Sequence, residues 1–352
     1  MQRDGIGRVV LTRPENVQYY TGFRPHRLMA AMAALDADGN CTLVAPNTEP
    51  EGAAFDKCVT FEAQRLCTLR QDQELAAAGK LGNSFGRYSQ PSSIAVDFPA
   101  SHALLLNALD CKHPATVSDM EPALLQLRRK KDPDELAMIR HAIDCTEAMY
   151  ARAREIIEPG ISELRVFNEL QSTAVETAGE MLIATGNDYQ CNSPGGPPRR
   201  DVVAEDGQLY ILDLGPCYRG YYADNCRTFA VNGNPTKEQL SAWEAIAGVL
   251  TMVEETVKPG ASARQLYFKA KETLDGWKKG AFFHHLGHGI GLYPHEAPHL
   301  NSNWDDEFQE GDVFTAEPGL YSEELKAGIR LEQDYLVTAD GVERLTKFPL
   351  EL

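Results

Sequence analysis

The sequence predicts an α+β protein of two domains, a small α/β layer domain over residues 1–125 and an internally repeated α+β domain over residues 126–352. Three observations carry that prediction. At 352 residues the chain exceeds the roughly 150 residues of a typical domain. Short strand-like and helix-like runs alternate over the first 120 or so residues, then give way near residue 130 to one long amphipathic helix. A Pro-Gly helix stop also recurs one hundred residues on, where Pro159, Gly160 and Ser162 reappear as Pro259, Gly260 and Ser262.

In chain order, "GRVVLTR" reads as a strand, and "RLMAAMAALDADGNCTLVAPN" as two strands folded at the turn signal "DADGN". "QDQELAAAGKLG" is helical, "SSIAVDF" is a third apolar run, and "SHALLLNALD" is a second helix. The domain boundary falls between 122 and 130. Past it, Asp132 is placed as an N-cap, with Pro133 at the first helical position and Glu135 at the third. Ile139, Ile143, Tyr150 and Ile157 then follow at helical spacing, so one face packs inward. In each Pro-Gly copy a helix ends and the serine can cap the next one. Two unrelated helix stops would look the same, but a duplicated α+β half is the sharper reading, and it places a site between the halves.

Composition removes several function classes. A formal charge of −17 opposes nucleic-acid binding, which needs clustered Lys and Arg. The longest basic run, "RRKK" at 128–131, reads as a solvated helix approach. No apolar run approaches the roughly 18 residues of a membrane span, and "MQRDGIGRVVLTRPEN" shows no secretory leader. Eight cysteines without a C-x-x-C pair suit reduced thiols. The expected compartment is the cytoplasm.

The chemistry lies in the second half. "LYILDLG", "YYADNCRTFAV" and "AGIRLEQDYLVT" place Asp213, Asp224 and Glu332 inside apolar, strand-like runs. A buried carboxylate costs several kcal/mol, roughly, unless it is paired or metal-bound. Each acid taken alone also reads as a strand-end or salt-bridged group. With Glu317 of "TAEPGLY" and His288 of "GHGIG", however, the set becomes four carboxylates and one imidazole. Four carboxylates balance two divalent cations, the charge pattern of a two-metal hydrolase. Oxygen-rich ligation with one nitrogen suits Mn, Fe, Co or Zn.

These motifs, in this order, resemble the M24 metallopeptidases of the pita-bread fold, the family of Xaa-Pro aminopeptidases, prolidases and methionine aminopeptidases. The resemblance covers nearly the whole chain. "VQYYTGF" is similar to the start region of the creatinase-type N-terminal domain, and "KDPDELAMIRHA" to the entry of the catalytic domain. "LDLG", "GHGIGLYPHE", "EPG" and "IRLEQD" resemble the metal and substrate motifs. The resemblance implies that Asp213 chelates one ion, that Asp224 and Glu332 bridge both, and that His288 and Glu317 complete the second. It makes Glu317 the general base, and His295 a substrate contact that stabilises the oxyanion or moves a proton. It turns His284 toward the substrate as a catalytic and binding group, and makes Arg330 an orienter of the metal acids or of a substrate carboxylate. The implied cofactors are two divalent ions per chain, manganese ahead of cobalt, zinc or iron. The implied partners are a short peptide with proline at the second position and a second copy of the chain in a homodimer.

The match has departures. His285 stands where the family more often has glycine. If the stretch is extended, His284 and His285 point to opposite faces and only one lines the site. His26 and His299 have no motif support. The family's Pro-His-Gly histidine, roughly seventeen residues before the first metal acid, is missing from "SPGGPPRRD", leaving Asn192, Tyr189 or His285 to take its role. Asn225 and Cys226 lead to Arg227, where x-Thr-Arg is usual. Two alternatives follow: a creatinase-like amidohydrolase acting on a small non-peptide C–N bond, or a non-catalytic binding protein on the same fold.

Overall fold

The computed structural model describes residues 1–85, 93–97 and 116–352, which form two compact units, Met1–Arg128 and Arg129–Leu352. The helix expected in "SHALLLNALD" lies outside the described residues.

In the first unit, strands β1 (Arg8–Leu11), β2 (Met32–Asp36), β3 (Cys41–Pro46) and β4 (Lys57–Phe61) precede a small hairpin, β5 (Gln64–Arg65) and β6 (Thr68–Leu69). With β7 (Ser93–Val96) and β8 (Thr116–Asp119) the larger strands form a six-stranded mixed sheet, ordered β4-β3-β2-β1-β7-β8. The "DADGN" turn joins β2 to β3 antiparallel. Alternate side chains divide between two cores, as the period of two requires. Val10, Ala34, Val44 and Ile94 meet Ala77, Ala78 and Leu81 of α2 (Gln73–Ser84) on one face. Val9, Leu11, Ala33 and Leu43 meet Val17 of α1 (Pro14–Thr21) and Leu124 of α3 (Glu121–Arg129) on the other.

The second unit opens with α4 (Pro133–Ile156), where the Asp132 backbone N–H donates to the Glu135 carboxylate at 2.9 Å. Ile139, Ile143 and Tyr150 of this helix are buried. Then come α5 (Glu163–Ala178) and strands β9 (Asp188–Cys191), β10 (Leu209–Leu214), β11 (Cys217–Tyr218), β12 (Tyr221–Tyr222) and β13 (Asn225–Ala230). A second set follows: α6 (Lys237–Thr256), α7 (Ala263–Trp277), β14 (Gly287–Gly289), β15 (Glu296–Leu300), β16 (Val313–Ala316), β17 (Gly319–Leu320), β18 (Ile329–Arg330), β19 (Gln333–Val337) and β20 (Val342–Arg344).

The duplication extends to individual hydrogen bonds. Gly160 N donates to Ala204 O at 2.7 Å and Gly260 N to Phe308 O at 2.8 Å, while Ala204 N and Phe308 N return bonds to Ile161 O and Ala261 O. Ser162 and Ser262 each cap the next helix, accepting from Arg165 N at 3.2 Å and Gln265 N at 3.1 Å. Chance helix stops would not reproduce the same pairing to a corresponding distant segment. Each half keeps its own core, one around Tyr150, Val166 and Leu212, the other around Ile246, Leu266 and Phe314.

The basic run at 128–131 corrects the sequence reading. Arg128, Arg129 and Lys131 are buried, not solvated. Arg128 donates to Asn16 Oδ1 at 3.0 Å, Arg129 pairs with Asp312 at 2.6 Å and Lys131 with Glu296 at 3.3 Å. Their acceptors lie far away in sequence, which local charge density does not reveal.

Candidate metal centre

The sheet β13-β10-β9 and the sheet β15-β14-β16-β19-β20 deliver the acids to one place. On β10, Asp213 sits opposite Cys226 on one side and Asp188 on the other. Asp224 immediately precedes β13, Glu317 follows β16, and Glu332 precedes β19. The two halves are sewn together here. Glu332 N donates to Cys226 O at 2.9 Å, and Asn225 Nδ2 to Glu332 O at 2.6 Å. The fully buried Arg227 reaches Glu332 O at 2.5 Å and Phe348 O at 2.8 Å. The unusual Asn225-Cys226-Arg227 sequence thus fixes the backbone of Glu332 against Asp224.

His288 is central on β14. A Cβ on the following Gly289 would lie 2.1 Å from Ala297 O, so only glycine admits the neighbouring strand. Gly289→Ala should therefore cost about 2–4 kcal/mol and displace His288. A melting temperature within a degree of wild type would contradict this.

All eight expected site residues, Asp213, Asp224, His284, His288, His295, Glu317, Arg330 and Glu332, line one cavity of about 490 Å³. His26 and His299 do not line it. His299 instead pairs with Asp306 at 2.8 Å. His285 lines the cavity together with His284, so the opposite-face expectation is corrected: the chain bends at 284 and 286 instead of running extended. Of the three stand-ins for the missing loop histidine, Tyr189 is buried and donates to Thr185 Oγ1 at 3.3 Å. Neither Tyr189 nor Asn192 is among the cavity's lining residues, and His285 is.

Sequence reasoning missed Asp188, Tyr321 and Phe283, which also line the cavity. Asp188 accepts from Gly196 N at 2.7 Å and from Arg330. A Cβ on Gly195, whose φ is +143°, would lie 2.4 Å from Asp188 Oδ2. The Asp188 carboxylate therefore fills the space a side chain on that loop would need. Only its register opposite Asp213 reveals it. Tyr321 lay within the quoted "TAEPGLY" and could have been weighed there.

The tautomers follow from fixed acceptors. The His288 Nδ1 lies 3.1 Å from Gly289 O, and a carbonyl only accepts, so Nδ1 carries the proton and Nε2 is left bare. His284 Nδ1 is likewise 2.7 Å from His285 O, leaving Nε2 to accept from the Tyr321 hydroxyl at 3.2 Å. Arg330 donates to that hydroxyl at 2.9 Å and to Asp213 Oδ2 at 2.6 Å. Both nitrogens of His284 are thereby committed.

The electrostatics fit cations. Burial pushes Asp213 up to about 6 against the pull of Arg330. Burial and the neighbouring carboxylates push Asp224 and Glu332 well above their usual range. Burial would raise Glu317 too, but the hydrogen bond and charge of His285, with the charges of His288 and His284, hold it at about 2. Burial lowers His288 to about 4, so it is neutral at pH 7. Asp213 Oδ1 and Glu332 Oε2 are buried with no hydrogen-bond partner among the described residues, although such atoms are normally satisfied. Converging bare oxygens and a bare imidazole nitrogen suit a divalent ion. Asp224, His288 and Glu332 form one group able to hold such an ion, and His284, His285 and Glu317 offer donor atoms for another.

Comparison with known proteins agrees with this chemistry. Residues 137–339 match the family described as "Metallopeptidase family M24", and residues 1–130 match the "Creatinase/Prolidase N-terminal domain". The chain is 28% identical over 358 aligned positions to an Xaa-Pro dipeptidase of Pyrococcus furiosus, covering 100% of this chain and 97% of that one. The solved prolidase from Pyrococcus furiosus superimposes with a TM-score of 0.81 at 26% identity, covering 99% of this chain and 98% of that one. An X-Pro aminopeptidase from Thermotoga maritima MSB8, at 22% identity, shares the fold with a TM-score of 0.80 over 100% of this chain and 96% of its own. With more than half its length matched by the family model at residues 137–339 and residues 1–130 matched by the companion N-terminal domain, this chain belongs to metallopeptidase family M24.

Proposed function

We propose that the chain hydrolyses the peptide bond before proline in short peptides, using two divalent ions. The observation that carries this reading is the convergence of five donors, Asp213, Asp224, His288, Glu317 and Glu332, on one cavity, in a chain similar end to end to an Xaa-Pro dipeptidase. Asp213, whose Oδ1 has no partner among the described residues while Arg330 donates to Oδ2, would hold one ion, His288 and Glu317 would hold the other, and Asp224 and Glu332 would be shared between them. Manganese is the metal we place first, with cobalt, zinc and iron behind it. When bound, the ions supply Lewis acidity toward the scissile carbonyl and acidify a water molecule.

The remaining steps belong to side chains. Glu317, ionised at neutral pH, accepts the proton of the attacking water and passes it toward the leaving proline nitrogen. His295 stacks on His288 with ring centroids 3.7 Å apart, which aims its edge at the cavity, where it stabilises the carbonyl oxygen as charge develops. His284, held by Tyr321 and the His285 carbonyl, forms a fixed wall against the substrate. Arg330, committed to Asp188 and Asp213, orients the acids. The domain division we adopt is 1–125 and 126–352, and the assembly a homodimer. Size-exclusion with light scattering should report two chains, and a monomer at micromolar concentration would contradict it. Among the described residues no helix is long and apolar enough to cross a membrane and no disulfide joins the described cysteines; the compartment we propose is the cytoplasm.

The test is a matched panel of Xaa-Pro dipeptides, Xaa-Pro-Yaa tripeptides, Xaa-Ala-Yaa controls and small non-peptide amides, after separate reconstitution with Mn, Co and Zn. Metal-dependent cleavage confined to the proline substrates is expected. Turnover of the non-peptide amides alone would overturn the substrate class and leave the hydrolase.

A further inference from the structure

We propose that His285 is a sixth protein ligand of the metal centre, adding a second imidazole nitrogen to the ion held by His288 and Glu317. This rests on the two-ion reading above. The His285 Nε2 lies 2.9 Å from Glu317 Oε1. Two donors bound at right angles to one ion, each about 2.1 Å from it, stand about 3.0 Å apart. The established candidates have comparable separations: His288 Nε2 is 3.6 Å from Glu317 Oε1 and 3.8 Å from Asp224 Oδ2. His285 is therefore no farther from the shared carboxylate than the imidazole already assigned.

The neighbouring rings are arranged for this. His285 is 5.3 Å from His288 and 5.7 Å from His295 between ring centroids, and stacks on the latter at 20°. Its side chain is 31% exposed against 3% for His288, placing it on the solvent side of the centre, where an ion would otherwise complete its shell with water. His284, the third member of the group with His285 and Glu317, is excluded because both its nitrogens are engaged. One of those bonds, from Nδ1 to the His285 carbonyl, pins the backbone from which the His285 ring projects.

A second nitrogen changes which metal the centre prefers. One imidazole among carboxylates suits manganese, whereas two move the balance toward cobalt and zinc. A simple hydrogen bond from His285 to Glu317 makes no such distinction. Replacing His285 by glutamine keeps a donor for Glu317 and removes the imidazole, so His285→Gln separates the two roles. His285→Ala removes both.

The full-length protein is titrated with Co²⁺, Zn²⁺ and Mn²⁺ by calorimetry, and the visible spectrum of the cobalt-loaded form is recorded for wild type, His285→Ala and His285→Gln. The expected result is a changed cobalt ligand-field spectrum in both variants. Zn²⁺ and Co²⁺ binding at one of the two ions should weaken at least tenfold in both, while Mn²⁺ binding changes less than threefold. An unaltered spectrum and unchanged affinities in His285→Gln would overturn the assignment, even if His285→Ala binds poorly. Two ions retained in such a variant would leave the two-ion reading standing, whereas failure of wild type to bind a second ion would overturn both.

Discussion

Replacing Glu332 by alanine should lower kcat/KM on an Xaa-Pro substrate by at least about a thousandfold, or about 4 kcal/mol, and remove at least one bound ion per chain. Glu332 is 1% exposed, its backbone is gripped by Asn225 and Arg227, and its Oε2 has no partner among the described residues. The backbone clamp should also keep the variant folded, because it acts through the Glu332 carbonyl and not through the carboxylate. Steady-state kinetics and elemental analysis on the same preparation check both halves. Undiminished turnover, or two ions retained, would contradict the assignment of Glu332.

The stabilisation of the protein by added Mn²⁺ should grow as pH rises from about 5 to 8. The sign follows from the raised carboxyls. A carboxyl whose folded-state value lies above its unfolded value contributes stability that is fully present below about 4 and is lost as pH climbs through the folded value. For Asp213 that value is about 6, and burial and neighbouring carboxylates also raise Asp224 and Glu332. Glu317 is shifted the other way and changes only below about 4, while His284 and His288, lowered to about 4 by burial, add stability as pH rises toward about 6.5 and offset the carboxyls in the metal-free protein. At roughly 1.4 kcal/mol per unit, Asp213 alone represents on the order of 3 kcal/mol. The rise in melting temperature on adding Mn²⁺ is expected to be larger at pH 8 than at pH 5 by roughly 5 °C, and Glu332→Gln should shrink that difference by removing one buried charge. Ion binding removes the penalty because the ligands must be deprotonated to bind, so the stabilisation by Mn²⁺ grows with pH. An Mn²⁺-induced shift equal at pH 5 and pH 8 would contradict the electrostatics described for this centre.

Much of this was legible because local pattern and function coincide. The capping box at Asp132, the "DADGN" hairpin and the alternation in β1 to β3 are short-range signals, and the structure uses each of them. The duplicated Pro-Gly-x-Ser showed the two halves, since the same turn must meet the same strand in both. Asp213 in β10, with Asp224 and Glu332 just before β13 and β19, stood out because ionisable groups in apolar runs need a reason. What stayed hidden depends on contacts between distant residues. The buried Arg129 and Lys131 find their acids at Asp312 and Glu296, and a run of four basic residues carries no trace of that. Asp188 reaches the centre only through its register beside Asp213. His285 was discounted because two adjacent side chains on an extended strand diverge, and the bends at 284 and 286 remove that premise.

The central claim is that Asp213, Asp224, His288, Glu317 and Glu332 together hold two ions, and anomalous scattering from crystals grown with Mn²⁺ tests it most directly. Two peaks about 3.5–4 Å apart are predicted, both in contact with Asp224 and Glu332, one of them with Asp213 and the other with His288 and Glu317. A single peak, or two peaks that do not share Asp224 and Glu332, would contradict the account.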